Sequence, residues 1–277
     1  MINGDTKLIA HVGYPTTTFK SPMIYNPWFE KHGINAVVMP LGVTAENFNH
    51  AFPQICRFTN FHGALITMPH KVTVIPLLDE TSTAVKVAGS CNAVRRDKDG
   101  RLIGDMFDGE GFVRGLKRHG GSLAGRRLLV VGAGGVGSAI AASSAAAGAA
   151  EIALYDVNAA IMELLADRLR QNYPRLKVSM GSNDPAGFDV VVNATPLGTY
   201  PGDPMPLDVS RLSPSTFVGE VVMKQETTAF LAAARARGCK TQIGVDMLFE
   251  QIPAYLEFFG FPSTTAAELR EVASIQY

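Results

Sequence analysis

Residues Leu128–Ile140 read LLVVGAGGVGSAI, and this stretch decides the fold of the region around it. An apolar run ends in glycines and passes directly into small residues, an order that predicts a buried strand, a tight turn and a helix. Gly132, Gly134 and Gly137 have the spacing G-x-G-x-x-G. In a strand–turn–helix context that spacing is typical of dinucleotide-binding units. A glycine-rich turn without a ligand is the competing interpretation.

Each glycine of this turn has a separate expected task. Gly132 permits the tight turn, Gly134 lets the backbone approach a pyrophosphate, and Gly137 lets the helix pack closely on the strand. The free N–H groups at the start of the helix then face the phosphates. We include Gly135 and Val136 among the predicted cofactor-binding residues.

The next predicted strand, Glu151–Asp156, ends in an acidic residue about 20 positions beyond the glycines. A carboxylate at this place accepts hydrogen bonds from an adenosine ribose. The 2′-phosphate of NADP would bring like charge against Asp156, and the following residues VNAA supply no arginine or lysine. We therefore predict NAD as the cofactor, with NADP the weaker candidate. An ordinary surface aspartate at a strand end is the alternative.

Short β-rich runs alternate with helical stretches almost throughout, which predicts an α/β protein with parallel sheets covered by helices. The strands predicted in the first part are KLIAHVG (7–13), INAVVMPL (34–41), GALITM (63–68) and CNAVRRD (91–97), with helices at Pro22–Lys31, Ala45–Cys56 and Asp108–Arg118. Strands predicted after the glycine turn, besides Glu151–Asp156, are Lys177–Met180, Asp189–Ala194, Thr216–Val222 and Thr241–Val245. The count suits a six-strand doubly wound sheet.

We predict two domains from this pattern. Residues 108–246 form a Rossmann dinucleotide-binding domain, and residues 1–107 form an N-terminal α/β substrate domain. After Asp246 the pattern is helical, and we expect residues 247–277 to return to the first domain. A chain of 277 residues with 47% apolar content is long enough for two such cores.

Charge and cysteine content exclude several classes of function. Lys plus Arg and Asp plus Glu both total 25, so there is no net field to hold a nucleic acid or an anionic membrane. The three cysteines fit neither a disulfide framework nor a metal site. Apolar runs of about 18 residues and a recognisable export signal are both missing from the sequence. We expect a soluble, unexported protein of the cytoplasm that has no metal.

A second candidate site follows the run LITMPHKVTV, residues 65–74. Pro69 ends an apolar parallel strand, so the next residues lie at its carboxyl end, where open α/β sheets bind ligands. Lys71 is there. By itself a lysine in this place is an ordinary solvated residue.

Several motifs resemble the shikimate dehydrogenase family. DVVVNATPLGT (189–199) and GAGGVG resemble its cofactor domain, while the other matches follow in the family's order along the chain. They are GYPTTTFKSPMIYN (13–26), GALITMPHK (63–71), GSCNAV (89–94), GDMFDGEG (104–111) and DMLFEQ (246–251). The resemblance implies a substrate domain, a Rossmann domain, and hydride transfer between the nicotinamide and a ring carbon of a cyclic hydroxy acid.

The resemblance also implies roles for individual residues. Lys71 corresponds to the catalytic lysine and Asp108 to its partner carboxylate. The positions that contact substrate are Ser21, Thr67, Asn92 and Gln251. We place the remaining cofactor contacts at Asn193, Thr195, Pro196, Leu197, Val221 and Gly244.

Oxidation of a secondary alcohol requires removal of the hydroxyl proton, and the reverse reaction requires a proton donor beside the ketone oxygen. Lys71 can serve in both directions if a closed cleft lowers its pKa toward that of a useful base. A neighbouring carboxylate favours the ammonium, so we expect Asp108 to orient Lys71 and to bind a substrate hydroxyl, with a direct proton role as the alternative.

The sequence departs from the family at positions that face the substrate. The family's S-x-S-P is FKSP here, so Phe19 replaces the first serine and joins the predicted substrate contacts beside Ser21. Leu65 stands where the family has asparagine, and Met223 where it has a substrate-facing tyrosine. The residues before Asp108 differ too: they are Met106 and Phe107. Compensating groups could come from Thr16, Thr17, Thr18 or His70, although they could equally be loop residues.

These departures favour a relative of shikimate with a different ring substituent, and slow turnover of shikimate itself. Quinate stays open as a substrate. A non-catalytic NAD-binding sensor is a rival that the apolar replacements favour, and a folate-type dehydrogenase fits NATPLG and FKSP poorly. We expect a small-molecule partner, neither nucleic acid nor membrane, and a monomer or homodimer.

Overall fold

The structure is a computed structural model that describes residues 2–274. Contacts between Cα atoms divide the chain into two compact units. Among the described residues, the first unit comprises 2–85, 90–107 and 252–274, and the second comprises 86–89 and 108–251. The sequence predicted boundaries after Phe107 and after Asp246. The predicted boundary after Asp246 lies five residues before the boundary in the structure, which follows Gln251.

The α/β fold class is confirmed, and strands and helices alternate along the described chain. The strands are β1 (Lys7–Gly13), β2 (Ala36–Gly42), β3 (Phe61–Ile66), β4 (Glu80–Thr81), β5 (Ala93–Arg96), β6 (Leu102–Asp105), β7 (Arg127–Val131), β8 (Glu151–Tyr155), β9 (Lys177–Met180), β10 (Val190–Asn193), β11 (Phe217–Glu220) and β12 (Lys240–Gln242). The helices are α1 (Pro22–Lys31), α2 (Ala45–Ile55), α3 (Thr83–Ala88), α4 (Asp108–Arg118), α5 (Gly135–Ala146), α6 (Ala159–Asn172), α7 (Ala229–Ala236), α8 (Gly244–Phe258) and α9 (Ala266–Val272). Short 3-10 turns lie at Thr16–Thr18, Ile75–Leu77 and Val209–Arg211.

The first unit contains a six-stranded mixed sheet in the order β2-β1-β3-β5-β6-β4. Strands β1, β2 and β3 are parallel, whereas β5 is antiparallel to both β3 and β6. The C-terminal segment returns to this unit, because the ring of Phe259 packs against Gly63 of β3 and its carbonyl lies 2.6 Å from Nε2 of His62. Trp28 of α1 donates its indole N–H to Thr264 at 3.1 Å.

The second unit contains a six-stranded parallel sheet in the order β12-β11-β10-β7-β8-β9. The chain runs outward from β7 first to one edge and then from β10 to the other, as in a doubly wound dinucleotide-binding fold. Both faces of β7 are buried: Leu128 and Val130 belong to one apolar cluster, Leu129 and Val131 to another. The near-continuous apolar run of the sequence therefore reflects a strand covered by helices on both sides.

Several elements differ from the sequence-based prediction. The short elements β4, α3 and β6 were not predicted. The strand predicted at Thr241–Val245 is shorter and ends at Gln242, because α8 begins at Gly244. A side chain at Gly244 would collide with the carbonyl of Val222, so glycine lets the helix start close to the end of β11. The second unit extends to Gln251 because the first turns of α8 pack against it, with the backbone of Met247 directly against Gly111.

None of the helices within residues 2–274 has the length and apolar character needed to cross a membrane.

Candidate active-site residues

The glycine turn of the second unit joins β7 to α5. Gly132 has a φ of +104°, a left-handed conformation that favours glycine, and its N–H donates to the carbonyl of Tyr155 at 2.7 Å. A side chain at Gly137 would collide with the carbonyl of Gly132, so this glycine lets α5 begin directly against the turn. By contrast, a Cβ added at Gly134 would meet no atom within 4 Å. The space beside Gly134 is therefore open to a ligand.

A groove of about 350 Å³ opens at this turn, at the carboxyl ends of β7, β10 and β11. Six of the predicted cofactor residues line it: Gly134, Gly135, Val136, Thr195, Pro196 and Val221. The residues of the lining that the sequence did not assign to the cofactor are Ala194, Thr199, Val222, Met223 and Lys224. The groove lies where the strand order reverses, the usual place for a dinucleotide in such sheets, and its open glycine edge suits a pyrophosphate.

Asp156 follows β8 and supports the glycine turn. Its carboxylate accepts hydrogen bonds from the N–H of Ala133 at 2.7 Å and from the N–H of Asn158 at 2.9 Å. Each carboxylate oxygen retains a further lone pair for a ribose hydroxyl. Residues 156–167 contain neither lysine nor arginine.

Asn193 shapes the wall of the groove and lies beneath its surface. This fully buried side chain donates to the carbonyl of Leu197 at 2.9 Å and accepts from the backbone and hydroxyl of Thr195 at 3.1 and 2.6 Å. The hydroxyl of Thr195 in turn accepts from the N–H of Leu197 at 3.1 Å. Asn193 and Leu197 therefore hold Thr195 and Pro196 in place, and Thr195 and Pro196 are the residues that face the groove.

A second loop completes this wall. Lys224 lies 3.9 Å from the ring centroid of Tyr200, and Gln225 donates to the carbonyl of Gly198 at 2.5 Å. Both contacts join the segment after β11 to the segment after β10. Met223, which stands at the family's tyrosine position, is 54% exposed.

Glu220 is a buried acid at the end of β11, directly before the segment that carries Lys224 and Gln225. One carboxylate oxygen accepts from the hydroxyl of Thr228 at 2.8 Å, and the other, Oε1, has no hydrogen-bond partner within the described residues. Burial raises the pKa of Glu220 from 4.5 to about 7, against smaller opposing effects of Thr228 and Arg235. The carboxyl group is therefore largely protonated in mildly acidic solution.

In the first unit, the loop after β3 carries Lys71. The carbonyl of Lys71 accepts a hydrogen bond from the N–H of Cys91 at 2.7 Å. The next residue, Asn92, is buried, and its Oδ1 accepts from the N–H of Phe107 at 2.9 Å. The main chain thus brings the lysine motif and the asparagine motif together.

Asp108 and Gln251 belong to the second unit. Asp108 is the first residue of α4 and directly follows Phe107, the residue that Asn92 holds. Gln251 lies in α8 against Gly111, and its Oε1 is buried without a hydrogen-bond partner among residues 2–274. The meeting of Asp108 or Gln251 with Lys71 stays a prediction, because the two sets belong to different units.

Two of the predicted substrate contacts of the first unit, Phe19 and Thr67, lie near each other beside β1. His11 of β1 pairs with Leu65 of β3, so the alternate residues Gly13 and Thr67 share that face with them. The ring of Phe19 stacks on His11 with a centroid distance of 3.9 Å. A Cβ at Gly13 would collide with Thr67 and lie 3.0 Å from Phe19. Phe19, Thr67 and His11 therefore form one cluster.

Ser21 precedes α1 and holds the helix start through its main chain. Its carbonyl accepts from the N–H groups of Ile24 and Tyr25 at 3.0 and 2.9 Å, and its side chain makes no cap hydrogen bond. The Ser21 hydroxyl is thus not consumed by helix capping.

His11 is the residue that sequence reasoning missed. It is 7% exposed, and its Nδ1 has no hydrogen-bond partner among the residues that the structure describes. Burial, and secondly the positive charge of Lys71, lowers the pKa of His11 to about 4. The imidazole is therefore neutral near pH 7 and lies close enough to feel Lys71. The available signal was a histidine in the interior of KLIAHVG, surrounded by apolar residues.

His70 packs in the interior and is one of the compensating residues that the sequence offered. It is 1% exposed, its Nε2 lies 2.6 Å from the carbonyl of Val43, and its ring stacks on Phe48 at 4.0 Å. Thr16–Thr18 form an irregular turn in which Thr18 donates to the carbonyl of Pro15 at 3.3 Å. His70 thus has a packing role.

All three cysteines are free and buried. Burial raises the pKa of Cys56 and of Cys91 to about 12, and raises that of Cys239 as well. Among residues 2–274, no group of three or more His, Cys, Asp or Glu side chains could hold a metal ion.

Known proteins are similar to this chain over nearly its whole length. The family model for the shikimate dehydrogenase substrate binding domain matches residues 12–94. A curated relative from Rubrobacter xylanophilus, named shikimate dehydrogenase (NADP(+)), is 34% identical over 254 residues, covering 90% of this chain and 89% of that protein.

Two solved structures are also similar. Shikimate 5-dehydrogenase from Listeria monocytogenes, in complex with shikimate and NAD, has a TM-score of 0.91 at 27% identity and covers 98% of this chain and 97% of its own. Ligand-free 5-ketofructose reductase of Gluconobacter sp. strain CHM43 has a TM-score of 0.88 at 27% identity, covering 97% of this chain and 98% of its own.

Proposed function

Since this chain belongs to the shikimate dehydrogenase family, we propose that it is a nicotinamide-dependent oxidoreductase acting on a secondary alcohol of shikimate or a closely related polyhydroxylated compound. The second unit is the proposed cofactor domain and the first unit the proposed substrate domain. The observation that carries the proposal is the open glycine edge of the groove, where a Cβ at Gly134 would meet nothing within 4 Å. We propose the cytoplasm as its compartment, which the three buried free cysteines suit.

Lys71 and Asp108 are the proposed catalytic pair. When bound, the nicotinamide supplies or accepts a hydride. Lys71 gives a proton to the substrate oxygen in ketone reduction and takes one in alcohol oxidation. The hydrogen bond from Cys91 to the carbonyl of Lys71 supports this role, because it fixes the loop through the main chain. Asp108 orients the ammonium and accepts from a substrate hydroxyl.

The remaining residues bind and orient the reactants. The N–H groups at the start of α5 and the turn held by Asn193 suit the pyrophosphate and the adjoining part of the cofactor. Asn92, Thr67, Ser21 and Gln251 are the proposed donors and acceptors for substrate oxygens. For Gln251 the buried, unpaired Oε1 supports such a role.

We propose NAD as the preferred cofactor, although the curated relative from Rubrobacter is named NADP(+)-dependent. The ribose of the adenosine would lie beside Asp156, and residues 156–167 provide no cation for a 2′-phosphate. Steady-state kcat/KM for NAD and NADP tests this, and a higher value for NADP would refute it. An Asp156→Asn variant should have a smaller ratio of kcat/KM for NAD to kcat/KM for NADP, because it removes the charge that repels the 2′-phosphate.

Turnover of shikimate itself should be slow. Phe19 and Met223 stand where the family has hydroxyl groups. Hydrogen bonds to a charged group are worth about 1.5–3 kcal/mol each, so loss of two weakens binding by about two to four powers of ten. A kcat/KM for shikimate above about 10⁴ M⁻¹s⁻¹ would contradict this proposal.

The catalytic assignment is tested with Lys71→Ala and Lys71→Arg. We expect both variants to retain NAD affinity in fluorescence titration and to lose about two to four powers of ten in kcat, as is usual for removal of a general acid–base group. The matched control is Lys86→Ala, an exposed lysine of α3. Undiminished turnover of Lys71→Ala would rule out the role.

A further inference from the structure

The neutral imidazole of His11 and the apolar ring of Phe19 indicate which kind of substrate group can bind beside them. We propose that the imidazole of His11 hydrogen-bonds an uncharged oxygen of the substrate, so that the site selects a neutral polyol or hydroxyketone over a substrate that presents a carboxylate there. This inference rests on the proposed function and narrows its substrate class. It concerns a residue that the family motifs do not include.

The first support is the unmet hydrogen-bonding capacity of His11. An imidazole buried in a strand normally has partners, because a buried polar group without one costs free energy. Here Nδ1 is buried and has none within the described residues, and the neighbouring register partner Leu65 offers no polar atom. A ligand oxygen, or a water carried in with it, would supply the missing partner.

The second support is the charge state of the cluster. His11 is neutral near pH 7, so it offers one donor and one acceptor. A hydroxyl group can complement either ring nitrogen, whereas a carboxylate can only accept. The positive charge of Lys71 acts on His11, and the proposed function assigns the Lys71 amine to the reacting oxygen. A carboxylate beside His11 would then compete with the reacting oxygen for that amine.

The third support is the stacked ring of Phe19. Its centroid lies 3.9 Å from that of His11 with an interplanar angle of 20°, which covers one face of the imidazole and fixes its plane. The same ring lies close to Gly13, beside Thr67. An apolar side chain at this position displaces water from a bound group. Removing water from a carboxylate costs more free energy than removing it from a neutral hydroxyl group.

The test compares shikimate with its hydroxymethyl analogue, in which the carboxyl group is reduced to CH₂OH. Wild-type protein is expected to oxidise the analogue with a kcat/KM at least about 10-fold above that for shikimate. His11→Phe, which keeps an aromatic stack but removes the nitrogens, should lose about 10-fold or more on the analogue and less than about 3-fold on shikimate. His11→Asn should recover part of the loss. Phe19→Ser should raise kcat/KM for shikimate.

The control is Val12→Ala, because Val12 is also buried in β1 but points to the opposite face. It should lower the melting temperature without changing the ratio of the two kcat/KM values. A wild-type preference for shikimate would overturn the inference. So would a His11→Phe variant that loses equally on both substrates while its melting temperature falls, because that result indicates a structural role.

Calorimetric binding of the analogue in the presence of NAD separates this inference from the proposed function. If neither compound is oxidised, the proposed function is wrong. The affinities of wild type and His11→Phe for the analogue then test whether His11 contacts the ligand. Weaker binding of the analogue to His11→Phe than to wild type supports the contact; equal binding overturns it.

Discussion

Replacement of Glu220 by glutamine should change how stability depends on pH. The folded state raises the pKa of Glu220 from 4.5 to about 7, chiefly through burial, with one oxygen unpaired and the other bound to Thr228. Below pH 4.5 both folded and unfolded chains carry the proton. Between 4.5 and about 7 only the unfolded chain loses it, so the wild-type free energy of unfolding falls as the pH rises. Above about pH 7 the folded chain loses the proton as well, and the free energy of unfolding stops falling.

The size of this effect follows from the two pKa values. At 1.36 kcal/mol for each pKa unit, a rise from 4.5 to about 7 removes on the order of 3 kcal/mol by pH 8. Glutamine cannot ionise and keeps the acceptor for Thr228. Glu220→Gln should therefore gain about 3 kcal/mol relative to wild type between pH 4.5 and pH 8, measured as the difference in urea unfolding free energy.

The matched control is Glu163→Gln, which removes the same charge from an exposed position of α6. Its difference from wild type should stay nearly constant over the same pH range. A constant difference for Glu220→Gln would refute the reasoning, because it would show that Glu220 ionises alike in folded and unfolded chains.

Two further substitutions test the glycine turn and the packing of α8. Gly137→Ala should lower NAD affinity by at least about 10-fold in fluorescence titration, since a methyl group at Gly137 collides with the carbonyl of Gly132 and displaces the turn. Its control is Gly4→Ala in the first unit, where the added methyl group would meet no atom within 4 Å. Equal affinities of wild type and Gly137→Ala would argue against this account. Arg118→Ala should lower the free energy of unfolding by about 1–2 kcal/mol in urea titrations, because Asp246, an almost buried carboxylate 2.7 Å away, loses its guanidinium partner. The loss is moderate because the guanidinium is 43% exposed and Asp246 keeps His119 at 2.9 Å. A change below about 0.5 kcal/mol would mean that solvent replaces the guanidinium fully.

The sequence was a good guide wherever local chemistry determines the structure. The G-x-G-x-x-G turn, the strand before it and the helix after it are all present, because a left-handed residue at position 132 and a close approach at Gly137 require glycine. Apolar runs of parallel strands were recognised for the same reason: both of their faces are buried. The start of α8 at Gly244 was missed because a glycine after a strand predicts either a turn or a helix start.

Features that depend on distant packing were not predictable from one sequence. The antiparallel β5 pairs with β3 across an intervening loop and helix, which no periodicity reveals. His11 has an unpaired nitrogen, but only strand register shows that Leu65 and the stacked Phe19 deprive it of polar neighbours. The pKa of Glu220 likewise follows from complete burial. The site assignments of Asp108 and Gln251 stay predictions for the experiments above.

Because the native thiols are buried, the side chain at position 71 can be replaced by chemical modification. Because Cys56, Cys91 and Cys239 are all enclosed, a thiol installed by Lys71→Cys would be the one that reagents reach in the native protein. Alkylation with 2-bromoethylamine would then convert it to thialysine, an amine of nearly lysine length and lower basicity. The loop should tolerate the exchange, since its tether to Cys91 runs through the main-chain carbonyl. The dependence of kcat on the basicity of the amine at position 71 could then be measured with chemically different amines.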